Sequence, residues 1–278
     1  MNDPSLFLRK SRNYLFVCLL FLLSLLVAVP MFLILFYMFS KGLPAFNLFL
    51  FTEVTKSVGS IHSGVLNAIV GSFILVLIAS LIAIPVGVLL GIYLSEFSKD
   101  RLAFCLRFSM DVLQGVPSII VGVVVYSWFV LPMKSFSALS GGVALSIMMM
   151  PYISRCTEET LNLVPKTYKE AALALGVPYR VILTKVLLKI ASPGVLSGVI
   201  LSIARISGET APLLFTAFGN QFLSFNILEP VHALPLVIFN YAMSPYEDWQ
   251  SIAWGAALLL ILFIFLLSIV VKLLNKRN

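Results

Sequence analysis

The stretch Glu170-Ala171-Ala172-Leu173-Ala174-Leu175-Gly176 has the most specific pattern in this 278-residue chain, and it lies in a basic region between two long apolar segments. Thr167 and Glu170 have the spacing of a capping box, in which a hydroxyl and a carboxylate satisfy the first free N–H groups of a helix. Gly176 suits a left-handed helix end, and Pro178 suits the first turn of a second helix. The pattern predicts a short helix within 167–177, whose small alanines would let another protein's backbone approach closely. A connecting helix that merely ends a loop is the alternative.

The composition indicates a membrane protein. Hydrophobic residues make up 60% of the chain and charged residues 11%, whereas charged residues form about a quarter of a typical soluble domain. Apolar segments of about 20 residues are long enough to cross a bilayer as helices. We therefore predict an all-α polytopic membrane protein with about six transmembrane helices. Their predicted positions are Tyr14–Phe39, Ala68–Leu94, Leu113–Leu131, Gly142–Ser154, Pro193–Thr216 and Ile252–Leu273.

Lysine and arginine are unevenly distributed between the two sides of these spans. One side has Arg9, Lys10, Arg12, Lys99, Arg101, Arg107, Arg155, Lys166, Lys169, Arg180, Lys185, Lys189, Lys272, Lys276 and Arg277. The other side has Lys41, Lys56 and Lys134. Because cytoplasmic loops are enriched in basic residues, both termini and the helix within 167–177 are predicted to be cytoplasmic. The net charge of +7 is thus an orientation signal, and we expect no nucleic-acid partner.

The spans also predict how the chain is organised. Residues 1–13 form a cytoplasmic tail, and 14–39 form a transmembrane anchor that is too long for the core of a signal peptide. An external, periplasmic loop at 40–63 leads to the core at 64–274. Residues 275–278 form a second cytoplasmic tail.

Two predicted spans contain the pattern Gly-x-x-x-Gly, at Gly87/Gly91 and at Gly194/Gly198. Small residues at this spacing let helices pack with their backbones close together. Ordinary bundle packing and a bendable transport core both account for them. The segment Phe218–Gln250 contains several prolines and is predicted to be a folded external loop near the membrane surface.

Arg205 and Glu209 are the outstanding polar pair within the apolar segments. At 1.5 Å per residue, Arg205 lies roughly 18 Å along a helix that starts at Pro193. The i,i+4 spacing puts both charges on one face of that helix, and charges at this depth face the interior of a bundle. With Ser207 and Thr210 beside them, they are predicted to line a passage or gate. A purely structural ion pair between helices remains the alternative.

Four further polar residues have simpler interpretations. Asp111 and Gln114 fall at the cytoplasmic start of the third predicted span, where a carboxylate caps a helix N-terminus, and a gating role is the alternative. Glu158 and Glu159 precede the helix within 167–177 and are predicted to form a solvated face that balances nearby lysines.

The sequence predicts no enzyme. It has no Gly-x-x-x-x-Gly-Lys-Ser/Thr loop for nucleotide phosphates and no arrangement typical of nucleophilic catalysis. His62 and His232 lie far apart outside the spans, without a second ligand pattern. Cys18, Cys105 and Cys156 indicate neither a disulfide framework nor a metal site. We expect no catalytic residues, metal or cofactor.

Several motifs resemble those of a known transporter family. The Glu-Ala-Ala helix resembles the cytoplasmic coupling helix of ABC importer permeases. The string Ala204-Arg205-Ile206-Ser207-Gly208-Glu209-Thr210-Ala211-Pro212 resembles the corresponding span of PstA-type phosphate permeases. Gly64-Val65-Leu66-Asn67-Ala68-Ile69 and Gly115-Val116-Pro117-Ser118-Ile119 support the likeness. Together these matches extend from about Gly64 to the end of the chain.

The resemblance implies a type I ABC importer permease that imports phosphate by alternating access in the inner membrane. Its expected partners are a second, similar permease, two ATPase subunits and a periplasmic phosphate-binding protein. The ATPase-coupling residues would be Thr167, Glu170, Ala171, Ala172 and Gly176. The alternatives are a permease of this type for sulfate or molybdate, an ATP-independent transporter or channel, and a membrane scaffold.

Overall fold

The computed structural model describes residues 4–60 and 63–276, and this part of the chain is built from α-helices. His62 and residues 277–278 lie outside the described residues. The helices are α1 (Pro4–Gly42), α2 (Leu48–Thr52), α3 (Leu66–Glu96), α4 (Arg101–Gly115), α5 (Ser118–Val125), α6 (Leu131–Met133), α7 (Ala138–Asn162), α8 (Lys166–Ala174), α9 (Tyr179–Val181), α10 (Leu188–Ile206), α11 (Ala211–Thr216), α12 (Leu234–Ala242) and α13 (Glu247–Lys276). A 3₁₀ turn covers Leu43–Ala45, and π-helical turns at Tyr126–Val130 and Ile182–Leu187 join α5 to α6 and α9 to α10.

Four helical stretches in the described residues are long and apolar enough to cross a membrane, namely Arg9–Ala45, Leu66–Glu96, Tyr179–Ile206 and Glu247–Leu273. A bent pair, Arg101–Gly115 with Ser118–Met133, would make a fifth. The fourth predicted span, Gly142–Ser154, lies inside α7, which does not meet this test. Serines, glycines and charged residues make α7 less apolar.

α7 tolerates this polar composition because it is the central helix, enclosed between α3 and α10. On one side a Cβ at Gly87 would lie 2.8 Å from Cβ of Ile153, and one at Gly91 would lie 2.5 Å from Cβ of Thr157. On the other side, the glycines of the second Gly-x-x-x-Gly pattern contact α7 in the same manner, Gly194 against Thr160 and Gly198 against Cys156. Both patterns therefore allow close helix packing, as predicted.

The third predicted span, Leu113–Leu131, is wrong at its start. α4 ends at Gly115, and the chain turns through 105° before Ser118 begins the next helix. Pro117 causes the break, because it has no N–H and forces Val116 into an extended conformation. Asp111 and Gln114 therefore lie in the C-terminal part of α4, so their predicted role at a helix N-terminus is wrong.

The predicted external loop Phe218–Gln250 is partly a core element. Val231–Val237 are buried, and α12 packs against α3 and α13. Gly71 of α3 makes this possible, since a Cβ there would clash with the carbonyl oxygen of His232. His232 lies outside the candidate spans, and burial lowers its pKa to about 4. It is therefore a neutral packing residue.

The helical bundle has two distinct ends. At one end, Asn67 near the start of α3 donates to the carbonyl oxygens of Asn220 and Gln221, and Ser137 at the start of α7 donates to Thr216. At the other end, α3 and α7 both terminate close to α8, so these two helices run parallel. We call the latter the coupling end.

The outer helices are longer than the predicted first and last spans. α1 begins at Pro4 and absorbs most of the predicted tail 1–13, while α13 continues to Lys276. The side chains of α1 between residues 14 and 39 are mostly exposed, as expected for a lipid-facing anchor.

Candidate functional site

The predicted short helix exists as α8, and its ends differ in part from the prediction. Gly176 has the expected left-handed conformation, with a φ of +72°. The predicted capping box is wrong, because the helix begins at Lys166 after Pro165 and no side chain caps it. Thr167 is therefore the second helical residue. The fixed φ of Pro165 already directs the chain into the helix.

α8 has a buried side and an exposed side. Ala172 is buried in an apolar cluster that includes Leu161, Ile182 and Leu187. The other predicted coupling residues are exposed, namely Thr167, Glu170, Ala171 and Gly176. Among the described residues, the carboxylate of Glu170 has neither a hydrogen bond nor an ion pair. The side of α8 away from the bundle is thus free to contact another protein.

Large apolar side chains extend this exposed surface. Leu163 and Leu175 flank α8 at either end and are each 82% exposed, and Tyr168 is 52% exposed. Exposed apolar side chains of this size are typical of a protein–protein contact.

A continuous helical run, Tyr179–Ile206, connects α8 to the predicted passage residues. Only Leu175–Pro178 separates it from α8. The run has 28 residues, or about 42 Å at 1.5 Å per residue. It contains a π-helical turn at Ile182–Leu187, a feature that often marks functional sites in helices.

The fifth predicted span, Pro193–Thr216, is wrong because the helix ends at Ile206 and α11 starts at Ala211. Gly208 has a low helix propensity, and Pro212 near the start of α11 lacks the N–H that a continuous helix would need at this position. Arg205 and Glu209 therefore do not share a helix face.

Within the described residues, Arg205 and Glu209 have no ion pair with each other or with another group. The guanidinium of Arg205 instead lies over the ring of Tyr152 in α7, with Cζ 4.4 Å from the ring centroid. Arg205 is exposed and Glu209 is half-buried. The sequence pointed to Tyr152 only weakly, as a polar aromatic residue after Pro151 in an apolar segment.

The helix break at 207–210 lies against the bundle core. Ser207 is buried, and its hydroxyl donates to the carbonyl of Ile203 at 2.7 Å. Thr210 is half-buried and precedes α11. α11 packs closely on α5, where a Cβ at Gly122 would lie 2.7 Å from Cα of Pro212. The break therefore places Arg205, Glu209 and Thr210 at an edge of the packed core.

Glu158 differs from the prediction of a solvated pair. Its side chain is 7% exposed and accepts from Arg107 Nη2 at 2.6 Å. Glu159 is exposed, as predicted, and pairs with Arg155 at 2.7 Å. Hydropathy could not distinguish these adjacent glutamates, because the partner of Glu158 is on α4.

The model of the protein family described as binding-protein-dependent transport system inner membrane component matches residues 83–278. Named relatives cover nearly the whole chain. The phosphate transport system permease protein PstA of Pasteurella multocida is 42% identical over 274 residues, 98% of each chain. The PstA of Xylella fastidiosa is 46% identical over 86% of this chain and 84% of that protein. A probable PstA of Methanocaldococcus jannaschii is 38% identical over 93% of this chain and 92% of that protein.

Solved structures share the fold at low sequence identity. An inward-facing MetNI methionine ABC transporter superposes with a TM-score of 0.60 at 21% identity, covering 76% of this chain and 93% of that chain. An amino acid ABC transporter has a TM-score of 0.53 at 15% identity, covering 76% of this chain and 94% of that chain. The predicted all-α, type I permease fold is confirmed.

Proposed function

We propose, since this chain belongs to the family of binding-protein-dependent transport system inner membrane components, that it is a permease subunit of an ATP-driven importer whose substrate is inorganic phosphate. Its similarity to phosphate transport permeases over nearly its whole length supports the substrate. The chain is a multi-pass inner-membrane protein of a transporter family, and hydrolysis of ATP is assigned to separate ATPase subunits.

The helical run Tyr179–Ile206 is the observation that carries this proposal. It begins three residues after Gly176 and ends one residue after Arg205. A movement of α8 would therefore reach the region of Arg205 along one element of secondary structure. A channel or scaffold needs no such connection between a cytoplasmic contact helix and an intramembrane charge.

Arg205 is proposed to line the passage together with Glu209 and Thr210, while Ser207 ends the helix at this gate. A charged side chain on a membrane-spanning helix is too costly to face lipid. Because Arg205 is exposed on this chain, it would face a second, similar permease across the passage. Its planar donors suit a tetrahedral oxyanion. Glu209 nearby would weaken the positive field, so that the anion is not trapped in transit.

The exposed side of α8 is proposed to bind one of two ATPase subunits, the other being bound by the second permease. Thr167, Glu170 and Ala171 would contact the ATPase directly, whereas Ala172 and Gly176 position the helix. ATP binding would draw the ATPases together, and the coupling helices would pass this motion to the spans. The passage would then alternate between its two openings.

The direction of the helices and the distribution of basic residues support the same orientation of the chain in the membrane. We place the coupling end and both termini in the cytoplasm, because lysine and arginine are concentrated there. The opposite end, with the 218–231 segment, would face the periplasm and receive a phosphate-binding protein.

Transport by the reconstituted importer tests this proposal. The chain is purified with its companion permease and ATPase, inserted into vesicles and supplied with a periplasmic phosphate-binding protein and labelled phosphate. We expect uptake that requires ATP and is insensitive to excess sulfate or molybdate. Competition by those anions would favour the other oxyanion importers, and phosphate flux without ATP would favour a channel or secondary transporter.

A further inference from the structure

The last turn of α3 is a junction where four consecutive residues each bond to another part of the coupling end. Tyr93 Oη donates to Asp100 at 2.9 Å, and the Leu94 carbonyl accepts from Arg107 at 3.4 Å. Ser95 Oγ donates to Asn162 at 2.8 Å, and Glu96 accepts from Lys169 and Tyr179. The turn thereby contacts α4, the last residue of α7, and the helices on both sides of Gly176.

Glu96 is the centre of the contact with α8. Its side chain is 9% exposed, and Oε2 accepts from Lys169 Nζ at 2.5 Å. The hydroxyl of Tyr179 donates to the same oxygen. Lys169 also donates to the Tyr179 hydroxyl at 2.9 Å and lies over the Tyr179 ring. Three side chains from α3, α8 and α9 thus form one closed cluster.

The position of Glu96 is not explained by the stability of α3. It is the last residue of that helix, where the helix dipole is negative and disfavours a carboxylate. Lys169 and Tyr179 compensate for this from other elements. The side chain of Glu96 thus connects α3 to α8, although Lys169 lies 73 positions later in the sequence.

We infer that Glu96 is a positioning residue that passes the movement of the coupling helix to α3, a span with no direct chain connection to α8. A displacement of α8 would pull on Glu96 through Lys169 and Tyr179. The junction would then carry it to α4 through Arg107 and to α7 through Asn162. This inference rests on the proposed function, in which α8 contacts the ATPase.

Replacing Glu96 by Gln in the assembled importer tests the inference. Glu96→Gln keeps the size of the side chain and weakens the contact with Lys169. The readout is phosphate transported per ATP hydrolysed in vesicles, which a merely structural residue would not change. We expect this ratio to fall by about 2- to 30-fold, the range of coupling changes from such mutations. Basal ATP hydrolysis and the yield of the complex should be retained.

Matched variants test whether loss of the Glu96–Lys169 ion pair causes the fall in this ratio. The exchange Glu96→Lys with Lys169→Glu should restore most of the ratio, because it rebuilds the ion pair in reverse. Glu159→Gln, which removes an exposed carboxylate from the same end of the bundle, should leave the ratio unchanged. If Glu96→Gln does not assemble, Lys169→Gln gives the same test from the more exposed partner.

An unchanged ratio in the assembled variant would overturn the inference, whereas failure of the unaltered importer to move phosphate would refute the proposed function.

Discussion

Arg107 of α4 and Glu158 of α7 form a partly buried ion pair in which Nη2 and Nε of the arginine lie 2.6 and 3.1 Å from the same carboxylate oxygen. Their side chains are 26% and 7% exposed. Because α4 is separated from α5 by the 105° bend, this pair ties the bent helix to the central helix of the bundle.

Removing Arg107 should destabilise the protein, since it leaves the Glu158 carboxylate buried without its close partner. We expect Arg107→Ala to cost up to about 3–5 kcal/mol, at the lower end because Arg155 lies 4.0 Å from the other oxygen of Glu158. Thermal unfolding of the purified protein in detergent measures this. The double variant Arg107→Met with Glu158→Gln should recover much of the loss.

The exposed pair Arg155–Glu159 provides the control for that prediction. Surface ion pairs contribute about 0–1 kcal/mol, so Glu159→Gln should barely change the unfolding temperature. Equal losses for Arg107→Ala and Glu159→Gln would show that the Arg107–Glu158 pair is energetically no different from a surface pair.

Arg205→Gln should leave the importer assembled and abolish phosphate uptake, because Arg205 has no ion-pair partner whose charge would be left unpaired. The measurements are the yield of the complex and uptake in vesicles. Tyr152→Phe keeps the aromatic face under the guanidinium and should retain most of the uptake, whereas Tyr152→Leu should lower it. Poor assembly of Arg205→Gln, repaired by adding Glu209→Gln, would instead support a structural lock.

Gly91→Val should weaken the packing of α3 on α7. Even a Cβ at this position would lie 2.5 Å from Cβ of Thr157 and 2.6 Å from the carbonyl oxygen of Ser154. Overpacking of this kind costs about 1–3 kcal/mol. The matched control is Gly115→Ala, whose Cβ would meet no atom within 4 Å. Unfolding temperatures of the two variants should differ clearly, and similar values would argue against a tight α3–α7 contact.

Gly176→Val should impair binding of the ATPase while the spans still insert. A β-branched residue at a φ of +72° costs about 1–2 kcal/mol, so the chain would leave this conformation and misplace α8. Asparagine tolerates the left-handed region, and Gly176→Asn should retain binding. Co-purification of the ATPase measures both variants. Normal binding by Gly176→Val would rule out a docking role that depends on this turn.

Reporter fusions test the proposed orientation. An enzyme that is active only outside the cytoplasm should be silent when fused after Asn278 and active when fused after Lys134, which lies between α6 and α7 at the end opposite to α8. The reverse pattern would place the coupling helix in the periplasm and contradict the proposed contact with an ATPase.

Features that depend on a few neighbouring residues could be predicted from the sequence. Hydropathy located α1, α3 and α13, because the cost of exposing the backbone and polar groups to lipid depends on composition. The left-handed conformation of Gly176 followed from its position after an alanine-rich helix. The two Gly-x-x-x-Gly patterns indicated close packing, although they did not identify the partner helix. Arg205 stood out because charge within an apolar segment is rare.

Features that depend on residues distant in sequence were decided only by the tertiary structure. The enclosure of α7 between α3 and α10 explains why a less apolar helix can occupy the centre of the bundle. Tyr152 and Arg205 meet because α7 and α10 pack together, across 53 positions of sequence. Glu158 and Glu159 have the same local chemistry, yet adjacent residues point about 100° apart around a helix. That rotation buries Glu158 against Arg107 and leaves Glu159 on the surface.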